Sequence, residues 1–103
     1  MKLVLALLEE FGPHLADGET AAGFRLRRIE PYIGFCTEIV VDFSGVRNAN
    51  SSFVNALVAG IVEQHGERVL EQLVFKGCNP AVRVLVEAAI DLGLLKTRGR
   101  VDA

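Results

Sequence analysis

Tryptophan is absent from this 103-residue sequence, and aromatic residues make up only 7% of it. Platforms that stack unpaired bases are built from aromatic side chains, so this scarcity argues against single-stranded nucleic-acid binding. A basic excess is missing too. Eleven Lys and Arg stand against thirteen Asp and Glu, a formal charge of −2, whereas a duplex-DNA binder carries a basic footprint. Cysteine occurs twice, at Cys36 and Cys78. That is too few for the disulfide scaffold of a small secreted fold, so both thiols are expected reduced in a cytoplasmic protein. The two cysteines and the isolated His14 and His65 make no zinc spacing. Long apolar runs are missing as well. The run at residues 3–8 ends at Glu9 and Glu10, far short of the ~18–20 residues of a spanning helix, and no small-residue cleavage site follows it.

Half of the residues are apolar, enough for a real core in one domain. Residues 3–8 fit a strand buried on both faces; periodicity alone also admits a helix there. The strand reading is preferred, with Val4, Ala6 and Leu8 on one side and Leu3, Leu5 and Leu7 on the other. Gly12 and Pro13 stop the element, and residues 14–19 read as a loop. A helix is expected from Thr20 to near Glu30, where Pro31 intervenes. Its apolar stripe is Ala22, Leu26, Ile29 and Ile33, with Arg25, Arg28 and Glu30 largely opposite.

Residues 38–43 contain the contiguous β-branched Ile39, Val40 and Val41, the mark of a central strand. Ser44 and Gly45 turn the chain into a polar loop over 46–50. Asn50, Ser51 and Ser52 are all good N-caps for a helix with Val54, Leu57, Val58, Ile61 and His65 on one stripe and Gly66 as its stop. Residues 67–72 read as a short helical or turn segment, and residues 73–77 as another strand. Asn79 and Pro80 start a last helix carrying Val82, Leu85, Val86, Ala89 and Leu92 and ending at Gly93. Residues 1–95 then form one domain, and 96–103 a polar, frayed tail. Strand and helix alternate, which predicts an α/β fold with a small, mostly parallel sheet of three or four strands and helices packed on it in two or three layers.

The most informative segment joins the strand end at Asp42 to the helix start at Ser51. A buried strand delivers a tight turn, and a short polar loop then sets two hydroxyls on a helix start. Free N–H groups and a partial positive charge are available there. The turn at Asp42, Phe43, Ser44 and Gly45, followed by Asn50, Ser51 and Ser52, resembles that of STAS domains (sulfate transporter and anti-sigma-factor antagonist). Those carry an Asp-hydrophobic-Ser/Thr-Gly-like turn and then Asp-Ser-Ser/Thr-Gly at a helix start. Residues 75–82, with Asn79, Pro80 and Val82, resemble their second landmark. Glu10, Phe11 and Gly12, the stretch 41–46, and Ser51, Ser52 and Phe53 are more closely similar to the STAS-like family of unknown function found in prokaryotic proteins. Asn50 stands where STAS domains usually have Asp, and Phe53 where they have Gly; Phe is common at that place in the STAS-like relatives.

The resemblance implies a non-enzymatic regulatory or protein-interaction domain. In the anti-sigma antagonists the first Ser of the motif is phosphorylated by a partner of the ATPase-kinase type, and Ser51 is the matching position. The implied partner is a protein, an ATPase-kinase or anti-sigma-type regulator, with a homodimer also compatible; no cofactor, nucleic acid or membrane span is expected. Ser51 and Ser52 form the expected phosphorylation or partner site, and Asp42, Ser44, Gly45, Asn48, Asn50 and Phe53 its supporting loop.

Each residue also has a plainer reading. Ser51 and Ser52 serve equally as cap and solvated hydroxyl. Asp42 sits at the strand's C-terminal end, where α/β folds place their sites, yet a backbone N–H in the turn would satisfy it. Arg25, Arg27 and Arg28 read as a solvated face or as a contact to an acidic partner or phosphate. Ser51 and His65 lie ~20 Å apart on one helix, which excludes that pair as a nucleophile and base. Gly45 and Gly77 read as turn glycines, outside any nucleotide-binding pattern. The alternative function is a small-molecule or anion-binding module using the helix start Asn50–Phe53.

Overall fold

The computed structural model describes residues 1–101, and side chains up to residue 98. Strand β1 (Lys2–Ala6) runs directly into helix α1 (Leu7–Phe11), and a two-residue strand β2 (His14–Leu15) follows. Helix α2 (Gly18–Phe24) continues through a π-helical turn (Arg25–Ile29) into a 3-10 turn (Glu30–Tyr32). After β3 (Glu38–Asp42) and β4 (Asn48–Ala49) comes one continuous helix: α3 (Ser51–Val54), a second π turn (Asn55–Ala59) and α4 (Gly60–His65). A 3-10 turn (Glu67–Glu71), strand β5 (Leu73–Lys76) and the long α5 (Pro80–Val101) complete the chain.

The sheet is parallel in the order β1-β3-β5, with the Ile39-Val40-Val41 strand at its centre, as its composition predicts. Right-handed crossovers in this order bring both crossover helices to the same face. The alternation agrees: Leu5, Ile39, Val41 and Leu73 are buried in the main core, while Val4, Val40 and Val74 form one register row on the other face. At the ends of that row Val4 is 53% exposed and Val74 39%. This corrects the expectation of a first strand buried on both faces. The strand also stops at Ala6, because Leu7 and Leu8 already belong to α1.

Residues 14–19 are not simply a loop. His14 and Leu15 pair in parallel with Asn48 and Ala49 in a small second sheet, and Asp17 caps α2. The stripe expected on this helix is corrected too: Ala21, Phe24 and Ile29 are buried, whereas Leu26 is 57% exposed and Ala22 and Ile33 are only partly buried. Ala21 and Phe24, ahead of the π turn, set the buried face, and the extra residue of the turn carries Ile29 onto that face and away from Ala22 and Leu26. Arg25 accordingly leaves the solvated face. Its side chain is only 14% exposed and bridges to Glu30, whose other oxygen lies 3.1 Å from His65 Nε2. His65 thus leaves the apolar stripe and fastens the end of α4 to the end of the first crossover. Arg27 and Arg28 remain exposed.

Gly93 does not end the last helix. It is buried inside α5, where an added Cβ would lie 2.7 Å from Val62 Cβ and 2.9 Å from the Ala59 carbonyl oxygen. The glycine permits close approach of two helices, and helical structure persists through Val101, so the stretch expected to fray is helical as far as it is described. Gly66 stops α4 with a φ of +81°, as its position predicts. Among the described residues no helix is long and apolar enough to cross a membrane.

Candidate functional site

At the C-terminal end of the sheet, three helix starts converge on the loop between β3 and α3. Each is capped by a side-chain oxygen. The Asp17 carboxylate accepts the Glu19 N–H at 3.0 Å and the Thr20 hydroxyl at 2.7 Å. Asn50 Oδ1 accepts the Phe53 N–H at 2.9 Å. Asn79 Oδ1 accepts the Val82 N–H at 2.8 Å.

The asparagines do more than cap, because an amide also donates. Asn50 Nδ2 donates to the Ala16 carbonyl at 2.8 Å, tying the start of α3 to the segment that leads into α2. Asn79 Nδ2 donates to the Arg47 carbonyl at 2.9 Å, tying the start of α5 to the same loop. A cap Asp could make only the first kind of bond, which gives Asn50 a physical reason to stand where STAS domains usually have Asp.

Asp42 takes the plainer of its two readings. Its carboxylate accepts the Ser44 N–H at 2.9 Å across the turn. The Ser44 hydroxyl, and then that N–H, hold its carboxyl below the usual value of 3.8. Asp17 is lowered likewise, first by the Thr20 hydroxyl and then by the Glu19 N–H. Ser44 and Gly45 are exposed. Gly77, at φ +72°, lies directly under Ser44: an added Cβ would fall 2.7 Å from the Ser44 backbone nitrogen. Asn48 is exposed, and its Oδ1 lies 2.8 Å from His14 Nδ1. That contact engages His14 with the loop rather than with a serine.

Ser51 and Ser52 are both exposed, while Phe53 and Val54 immediately after them are buried at 1% and 0%. The hydroxyls therefore stand at the surface of a turn anchored from below. The anchor is aromatic: Phe11 meets Phe53 edge-on at 5.1 Å and Phe24 edge-on at 5.1 Å. Ser52 also abuts the start of α2, since a Cβ on Gly18 would come 2.6 Å from its Oγ. The structure thus places Asp42, Ser44 and Gly45 in the turn at the end of β3, Asn48 in β4, and Asn50, Ser51, Ser52 and Phe53 at the start of α3.

His14, Asp17 and the loop-binding role of Asn79 escaped the sequence reading. Asp17 had a legible signal, a capping residue followed three positions later by Thr20 at the onset of helical pattern. The His14 to Asn48 contact spans 34 residues and has no local signature. Cys36 is buried and Cys78 partly buried, both as free thiols. Burial pushes the Cys78 thiol above its usual 9.0, which leaves it protonated and weakly nucleophilic at neutral pH. Among the described residues no cluster of three His, Cys, Asp or Glu side chains could hold a metal ion.

Comparison with known proteins supplies the family. No curated protein and no solved structure matches the chain. A family model described as a STAS-like domain of unknown function (DUF4325) matches residues 21–83, which takes in the second half of the first crossover, the whole Asp42 to Val54 junction and the start of α5. The match covers more than half of the sequence, and the α/β fold with its three-stranded parallel sheet agrees with it. The chain is a member of the family of STAS-like domains of unknown function.

Proposed function

We propose that this protein is a non-enzymatic regulatory domain that docks a protein partner through the surface running from Ser44 to Val54, and that a phosphate on Ser51 switches that docking. The observation that carries the reading is the contrast within four residues. Ser51 and Ser52 are exposed while Phe53 and Val54 are fully anchored. A kinase needs an accessible hydroxyl, and a switch needs a surface that keeps its shape when charge is added. Asn50 caps the helix by itself, so Ser51 is not needed as the cap. A phosphate on Ser51 would meet the positive end of the continuous helix over residues 51–65. The same charge would repel an acidic partner surface and add a desolvation cost to docking.

The partner proposed, from the resemblance of Ser51 to the serine of the anti-sigma antagonists, is a protein of the ATPase-kinase or anti-sigma-regulator type. The alternative is a free-anion or small-molecule site at Asn50–Phe53; there Asn50 Oδ1 already accepts the Phe53 N–H that a free anion would need. The test is to incubate the protein with host lysate and ATP and to sequence the peptide around Ser51 by mass spectrometry. Phosphate on Ser51, absent from Ser51→Ala, is the expected result. An unmodified Ser51 with phosphate elsewhere, or with none, overturns the switch.

A further inference from the structure

We infer that the free edge of β1 pairs antiparallel with the same edge of a second copy, about a two-fold axis at Val4, to make one continuous six-stranded sheet. Hydrogen-bond phase comes first. Ile39 N–H donates to the Gln72 carbonyl and Phe43 N–H to the Lys76 carbonyl, so the odd residues of β3 face β5. Its even residues therefore face β1. Val40 stands opposite Val4 in the parallel register, and in such a ladder a residue facing its neighbour bonds the two residues flanking its partner. Leu3 and Leu5 thus turn their polar backbone groups to β3, and Lys2, Val4 and Ala6 turn theirs outward.

Among the described residues no strand pairs with that outer edge. It borders an open groove of about 270 Å³, whose lining includes Val4, Ala6, Phe24 and Arg28. Val4 is 53% exposed, so an apolar side chain and an unpaired N–H and C=O occur on one edge residue. Such an edge is a template for another strand.

Charge selects the occupant. Lys2 opens β1 in an exposed pair with Glu38 at 3.5 Å. At the other end Glu9 and Glu10 follow in α1, Glu10 in an exposed pair with Arg28 at 3.4 Å. Such surface pairs are weak and can exchange partners. An antiparallel copy centred on Val4 sets Lys2 opposite Ala6 of its mate, beside the mate's acidic turn, at both ends at once. A parallel copy would stack Lys2 on Lys2. Pairing β1 with the far edge at β5 would be heterologous and, whether as a ring or as a filament, would not stop at two chains. The two-fold arrangement makes Val4 a hydrogen-bonded pair with itself, exchanging both N–H···O bonds, and sets two valines side by side.

The test uses the full chain and needs no other partner. Analytical ultracentrifugation across a concentration series is expected to show the mass rising from one chain toward two and stopping there. Val4→Lys sets two ammonium groups face to face at the axis while changing an exposed side chain, so it should remain one chain with the same circular dichroism spectrum. Val4→Pro removes only the outward N–H, tolerable on an edge strand, and should weaken association likewise. Hydrogen exchange gives an independent readout: the Val4 amide should become protected as wild-type concentration rises. A mass of one chain up to about 1 mM, the weakest specific association worth naming, overturns the inference. So does a dimer that survives Val4→Lys, growth beyond two chains, or a Val4 amide that exchanges freely in the dimer. The inference does not rest on the Ser51 switch, and the Val4 variants leave Ser51 and its partner affinity to be measured separately.

Discussion

Asn79 and Gly93 show how much one residue can carry in this chain. Asn79 caps α5 through one amide atom and fixes the 46–47 carbonyls through the other. Asn79→Ala removes both bonds while leaving the buried face of α5 intact. It should lower stability by about 1–2 kcal/mol, read as a fall in the urea midpoint. An unchanged midpoint would contradict the capping role. At Gly93 two effects oppose each other. Alanine is the better helix former by about 1 kcal/mol, but its Cβ would press on Val62 and on the Ala59 carbonyl. Overpacking against a backbone atom wins, so Gly93→Ala should be destabilising by about 1–2 kcal/mol net. Asp42 gives a pH signature. Its folded-state carboxyl titrates below 3.8 because the Ser44 hydroxyl and N–H stabilise the anion. Its contribution is therefore present above pH 3.8 and is lost as pH falls through the folded value. The stability gap between wild type and Asp42→Asn should be flat from pH 5 to 7 and close below 3.8, as followed by urea melts at each pH. A gap that widens on acidification would reverse the sign.

At the scale of elements, the first π turn decides what the sequence pattern could not disclose, whereas across the second the expected Val54, Leu57, Val58 and Ile61 are all buried. Leu26 fits a perfect helical stripe with Ala22 and Ile29, yet it faces solvent and Phe24 faces the core. Local periodicity assumes 3.6 residues per turn, and a single wide turn breaks that assumption without any mark in composition. Leu26→Gln should therefore change stability by no more than about 0.5 kcal/mol. Phe24→Ala should cost about 3–5 kcal/mol, since it empties the space against Phe11. The reverse order of effects in thermal melts would show that the helix has its expected face inward after all. Elements whose pattern is not interrupted were legible: Ile39-Val40-Val41 as the central strand, Asn79-Pro80 as a helix start, and Gly66 as a stop. Gly93 misled because a glycine at a helix end and a glycine at a helix crossing look alike in sequence; only the approach of Val62 distinguishes them.

At the scale of the whole molecule, alternating apolar segments and turn residues were enough to predict a small parallel α/β sheet. The ordered set of Glu10 to Gly12, the junction from Asp42 to Phe53 and residues 75–82 was enough to reveal the STAS-like kinship. What the sequence left hidden is long-range: the His14 to Asn48 pairing, the Arg25, Glu30 and His65 chain, and the amide bridges that draw three helix starts onto one loop. Those bridges tie three helix starts to one loop, and Asn50 rather than Ser51 caps α3. Two consequences follow for the whole protein. Ser51→Asp should leave the melting temperature nearly unchanged, because the aspartate sits at an exposed, positively polarised helix start. It should at the same time abolish most partner binding. The most direct measurement is the affinity of wild type, Ser51→Ala and Ser51→Asp, side by side, for the partner recovered from the native host. Wild type and Ser51→Ala should bind equally, and Ser51→Asp at least tenfold more weakly, about 1.4 kcal/mol. Equal affinity of all three would contradict it.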